Sequence, residues 1–103
     1  MTNIKIVVTV PESHSDTVRE AMGRAGAGRV GKYEFCSFSV KGIGRFRPMV
    51  GANPTIGTVG AYESVVEERI EVTCNRDLVD VVLAAIRKAH PYEEPAIDVY
   101  PLE

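Results

Sequence analysis

Two hydrophobic periods alternate along the chain. In residues 3–10, Ile4, Ile6, Val8 and Val10 fall on one face at every second position, and Lys5, Val7 and Thr9 on the other. This predicts a half-buried strand that Pro11 ends. The spacing then changes. Val18, Ala21, Met22 and Ala25 follow the i, i+3, i+4, i+7 rule, which predicts a helix over 13–25 with Ser13 as its N-cap, Asp16 near its first turn, and Gly26 and Gly28 as stop signals. Aromatic enrichment in 32–40 predicts a second strand. Residues 66–74 return to the two-residue period, with Ile70, Val72 and Cys74 opposite Arg69, Glu71 and Thr73, and predict a third strand. Asn75 is placed to cap a helix over 76–89, whose stripe is Leu78, Val81, Val82, Ala85, Ile86 and Ala89, with Arg87 and Lys88 favourably near its end. Pro91 stops that helix and disfavours helical geometry at His90, and residues 96–100 read as the last strand.

The order β-α-β-β-α-β predicts an α+β, ferredoxin-like sandwich: a four-stranded antiparallel sheet with two helices on one face. The other face then has to be polar or covered. Val7, Phe38 and Val40 point to partial covering by another subunit. A single domain over 1–103 is expected, with a Gly/Pro-rich β2–β3 loop at 41–65. Connections of that length tend to be functional, and Phe46, Ile56, Val59 and Tyr62 would pin this one in an ordered path.

Charge narrows the partners. Twelve basic and 14 acidic side chains give a net charge of −2, which argues against a nucleic-acid footprint. No apolar run is long enough to cross a bilayer, and Ile6-Val7-Val8 is too short for a signal peptide, so no membrane contact and a cytoplasmic location are expected. Cys36 and Cys74, with no CxxC spacing, are expected to be reduced core residues.

The chemistry concentrates in two places. At the corner between the second helix and the last strand, two prolines bracket His90, Tyr92, Glu93 and Glu94. Imidazole and carboxylate suit a divalent transition metal, with His90 and Glu94 as candidate ligands and His14 as a helper from another element. The same residues also suit small-ligand recognition through Tyr92 and Glu93, or purely structural duty: Pro91 stopping the helix, Tyr92 packing, His90 answering the helix dipole. In the glycine-rich segment, Arg45 and Arg47 flank Phe46. Guanidinium groups and free backbone N–H groups there could cradle a phosphate or carboxylate, although turn geometry also explains the glycines. The Gly-x-Gly follows a strand without opening a helix, and no Gly-Lys-Ser/Thr follows, so neither nucleotide fingerprint is present. No catalytic residue is assigned: the serines lack an elbow motif, and the carboxylates Glu63, Glu67, Glu68 and Glu71 lack an evident acid–base partner.

Two stretches carry a family resemblance. One is Gly42-x-Gly44-x-Phe46-x-Pro48-x-x-Gly51-x-x-Pro54-x-Ile56-Gly57-x-x-Gly60, running on to Glu63, Glu67, Arg69 and Glu71; the other is His90-Pro91-Tyr92-Glu93-Glu94-Pro95. Together they resemble the small domain inserted in many GTP cyclohydrolase 1 type 2 homologues, the dinuclear-metal-binding family, and the resemblance spans nearly the whole chain. The corner is also similar to CutA proteins, which share their fold with the nitrogen-regulatory P-II proteins. The resemblance implies a CutA/P-II-like fold, trimeric assembly, and a long loop that contacts effectors. The parent family's metal ligands lie in flanking halves absent from this sequence, so its dinuclear site is not carried over. The expected function is a stand-alone, non-enzymatic, oligomeric binding or regulatory module, a trimer by preference, with a small-molecule or protein ligand. The alternatives are a CutA-like divalent-metal protein using the His90–Glu94 corner, and a metal-assisted hydrolase of nucleotides.

Overall fold

The computed structural model of the protein describes residues 3–103. Strand β1 (Asn3–Pro11) leads through a 3-10 turn into helix α1 (Ser15–Arg24). The hairpin strands β2 (Phe38–Phe46) and β3 (Glu63–Asn75) follow, then helix α2 (Val79–Ala89) and strand β4 (Ile97–Pro101). The sheet order is β2-β3-β1-β4, and every neighbouring pair is antiparallel. This is the α+β, ferredoxin-like fold that the element order predicts.

The core lies between the sheet and the helices. Ile4, Ile6, Val8 and Val10 of β1 meet Ile70, Val72 and Cys74 of β3, with Val18 and Met22 of α1 and Val82 and Ile86 of α2 packed over them. The expected α2 stripe needs one change. Val81 is 53% exposed, and Leu83 packs on the core instead, because a step of about 100° per residue carries Val81 off the buried arc. Cys74 is buried as expected, and burial pushes its thiol pKa up. Cys36 is only half-buried and falls outside the core cluster.

The second strand lies further along the chain than its aromatic content suggests. Residues 32–37 form no ladder: Val30 and Tyr33 close a tight turn around Gly31, and Phe35, at φ 58°, turns back so that its ring lies against Gly23 of α1. Gly28, at φ 78°, packs so closely on the Cys36 carbonyl that a Cβ would collide with it, and its N–H donates to Thr73 O at 2.8 Å. Phe35 serves packing on a helix rather than strand pairing, and Tyr33 stays exposed beyond its bridge to Val30. Gly42 and Gly44, expected in the loop, are in β2. The connection is therefore residues 47–62 rather than 41–65.

Register makes the sheet uneven. Pro11 of β1 stands opposite Glu67, so residues 63–66 of β3 pair only with β2. The hairpin end projects past the rest of the sheet, and the molecule is elongated, 46 × 23 × 23 Å. On the helix-free face, Lys5 Nζ and Arg69 Nε both reach Glu71, at 3.2 and 3.0 Å. Val7, opposite Glu71 on the same face, is only 2% exposed, so it is buried within this chain and does not wait for a partner. Phe38 and Val40 are 66% and 49% exposed there.

Helix starts differ. The Asn75 side chain accepts the Asp77 N–H at 2.8 Å, as expected of a cap. Ser13 does not cap α1: it lies in the 3-10 turn, and its Oγ is 2.9 Å from His14 Nδ1.

Candidate functional site

Helix α2 ends because Pro91 forces His90 out of helical geometry, to φ −78° and ψ 138°. The His90 N–H still closes the helix on Ile86 O at 2.8 Å. Its ring then ties the corner to β1. Tyr92 N–H donates to Nδ1 at 3.1 Å, and Nε2 lies 2.8 Å from Thr9 O. Since Nδ1 accepts, the proton sits on Nε2 and donates to the Thr9 carbonyl. Burial lowers the His90 pKa, and nearby His14 adds in the same direction, so the neutral ring is favoured.

This arrangement bears on the metal expectation. Both nitrogens of His90 are engaged with backbone groups, and a metal ion would have to displace one of those bonds. Among the described residues, no group of three or more His, Cys, Asp and Glu side chains converges as a ligand set. Glu94 lies near His90 in sequence but on the exposed side of the corner. The histidine acts here as a structural latch.

Beyond the latch, Tyr92 turns towards the projecting hairpin. Its ring stands edge-on to Phe46, with centroids 5.9 Å apart, and its hydroxyl donates to Glu67 Oε2 at 2.9 Å. Burial, then this donation to Glu67, pushes the Tyr92 pKa up, so the group is a fixed O–H donor. Glu67 is 7% exposed. It fits because its cross-strand partner on β2 is Gly42 and the side chain leans towards Gly44, two residues on along the same face: a Cβ on Gly44 would collide with Glu67 Oε1. Two edge-strand glycines that look like loop residues therefore include one that makes room for a carboxylate.

The loop closes over this pair. Asn53 N–H donates to Glu93 Oε2 and Thr55 Oγ1 to Pro91 O, both at 2.7 Å. Gly60 N–H donates to Pro48 O at 2.8 Å, while Arg47 Nε donates to Gly60 O at 3.1 Å and the guanidinium lies over the Tyr62 ring. A cleft of about 480 Å³ remains between loop, hairpin and corner, within the size range of small-molecule sites. Apolar walls come from Phe46, Pro48, Pro54, Ile56 and Ala96, and polar groups from Thr9, Glu67, Tyr92, Glu93 and Glu94. A smaller hollow of about 310 Å³ beside α1 has its main polar group, Arg19, already paired with Asp16, Glu68 and Ser39.

Arg45, Phe46, Arg47, Tyr92 and Glu93 all line this cleft, although they come from segments far apart in sequence. Glu94 lines it too, and His90 stands behind it. Sequence reasoning passed over Glu67, which alternates with Arg69 and Glu71 and reads as one more outward charge. Its signal was the glycine pair on the neighbouring strand. Chemically, the arrangement can hold a molecule between aromatic and proline walls, with a buried acceptor at its base.

No family model matches the chain. Relatives named GTP cyclohydrolase 1 type 2 homolog do. That of Halalkalibacterium halodurans is 54% identical over 98 residues, covering 95% of this chain and 26% of the relative. That of Bacillus subtilis is 48% identical over 99 residues, with 96% and 26% covered. Among solved structures, a Bacillus cereus protein related to NIF3 superposes with a TM-score of 0.87 at 45% identity, covering 99% of this chain and 26% of that one. The periplasmic divalent cation tolerance protein CutA of Archaeoglobus fulgidus superposes with a TM-score of 0.71 at 16% identity, covering 98% and 84%, and that likeness shows the fold alone. The chain spans about a quarter of the length of these curated relatives, and over that span it corresponds to one domain of the GTP cyclohydrolase 1 type 2 homologues, built on the fold shared with CutA.

Proposed function

We propose that this domain is a non-enzymatic, oligomeric binding module, and that its ligand enters the cleft between the β2–β3 hairpin and the His90–Pro95 corner. One observation carries the reading: five residues from two distant segments converge on a single walled cavity whose base holds a buried carboxylate and a phenol. Such a combination of apolar walls and few polar groups is the usual anatomy of a ligand site. Self-association is supported by the two unpaired edges, β2 and β4, and by exposed Phe38, Val40 and Tyr100 on the helix-free face. A trimer is the expected state. No helix among the described residues is long and apolar enough to cross a membrane.

Native mass spectrometry before and after chelation tests assembly and bound groups together. Three copies carrying a small molecule is the expected result. A monomer at micromolar concentration would remove the oligomeric part of the reading. An ion kept by the wild type and lost in His90→Ala would replace it with a metal site at His90 and Glu94.

A further inference from the structure

The ligand's chemistry can be read from the base of the cleft; this step rests on the binding reading above. The deepest polar group is Glu67, between the Gly44 backbone and the Tyr92 hydroxyl. Its Oε2 accepts from Tyr92, yet no Lys, Arg or His side chain among the described residues forms an ion pair with it. Glu67 keeps acceptor capacity turned into the cleft, and a partner that supplies N–H donors at that point gains a charge-assisted bond in place of water. The rim does not reverse this polarity. Arg47 is held by Gly60 and Tyr62, Glu93 is held by Asn53, and Arg45 and Glu94 are exposed and screened by solvent, which leaves Glu67 as the buried acidic group lining the cleft. The anion expected from Arg45 and Arg47 thus meets an acceptor-rich interior.

The geometry points to a ligand with a flat, apolar body and a protonated or N–H-rich nitrogen group: an amidine, a guanidine or an aminated heterocycle. Its nitrogen fork would donate to Glu67, as carboxylates favour, and its flat body would lie against Phe46 and Tyr92, whose rings also attract a cation. A free small molecule and an arginine side chain of a second copy offer the same fork.

Three probes of one shape separate the possibilities: benzamidine, benzoate and benzyl alcohol, titrated into the 15N-labelled protein and followed at the Gly44 and Tyr92 amides. Benzamidine is expected to bind at least about tenfold more tightly than benzoate, and Glu67→Gln to weaken benzamidine by about tenfold while leaving benzyl alcohol unchanged. Gly44→Ala, whose Cβ would push into Glu67, should weaken benzamidine as well, and serves if Glu67→Gln does not fold. Benzoate binding as tightly as benzamidine, or benzamidine indifferent to Glu67→Gln, overturns the cationic class and leaves the cleft reading standing. No shift with any probe overturns both. Raising the protein concentration identifies the source: benzamidine affinity that falls as subunits associate assigns the fork to a neighbouring copy, and constant affinity assigns it to a free molecule.

Discussion

The two halves of the sheet solve opposite problems. Where β1 runs between β3 and β4, aliphatic side chains pack under two helices and the charges stay on the outer face, paired as Lys5–Glu71–Arg69. Where β3 outruns β1, no helix covers the hairpin, and the centre of packing is Glu67, Tyr92, Phe46 and the His90 latch. The first half gains from removing apolar area from water, which is large and non-directional. The second depends on directed hydrogen bonds whose net worth is small, and it leaves a cavity. Stability should reside in the first region and ligand chemistry in the second.

The strongest way to break that contrast is a cavity in the closed half. Ile70→Ala removes a fully buried side chain between the helices and β1 and should cost about 2–5 kcal/mol in urea unfolding. Probe affinity of the folded fraction should stay unchanged. A loss confined to the cleft, with global stability intact, would invert the roles assigned to the two halves.

The same contrast explains what was legible in the sequence. Period-two and period-3.6 patterns announce apolar cores, so β1, β3, both helices and their order could be read directly. Register cannot be read that way. Nothing local in Gly42 or Gly44 says that they continue an edge strand, because the reason for Gly44 is a carboxylate that β3 places opposite Gly42 and that leans diagonally onto Gly44. Likewise the aromatics of 32–37 suggested a strand, and only the meeting of Phe35 with Gly23 shows otherwise. The corner residues were legible as a cluster because prolines fix them in sequence. Their roles were not, since His90 depends on a carbonyl 81 residues earlier and Tyr92 on a carboxylate 25 residues earlier.

A medium effect is expected at the joint between the halves. His90→Gln loses the fit to Thr9 O and Tyr92 N–H and should cost about 1–3 kcal/mol near neutral pH. Its pH signature is more specific. The folded His90 pKa is lowered, by burial and then by His14, despite the Thr9 bond and Glu67, which act the other way. Below the ordinary value of about 6.5, the unfolded chain therefore binds a proton that the native chain refuses. Wild-type stability should fall as pH drops through that window, and His90→Gln should flatten the fall. Glu68, whose pKa is lowered by its bond to Arg19, contributes at lower pH and remains in both proteins. An identical slope in wild type and variant would place the protonation elsewhere.

The smallest effect is expected from Tyr92→Phe, and it tests the contrast from the side of the open half. The variant keeps the ring against Phe46 and removes only the donor to Glu67 Oε2. In a closed core the orphaned carboxylate would cost several kcal/mol. This carboxylate borders a cleft, so water can take the hydroxyl's place and the loss should be about 1 kcal/mol. The loop is held by Glu93 and the Pro91 carbonyl, not by the hydroxyl, so its amides should keep their hydrogen-exchange protection. If Tyr92→Phe instead destabilised the protein as much as Ile70→Ala, the Glu67–Tyr92 pair would be part of a sealed core, and the division between a stabilising half and a binding half would not hold.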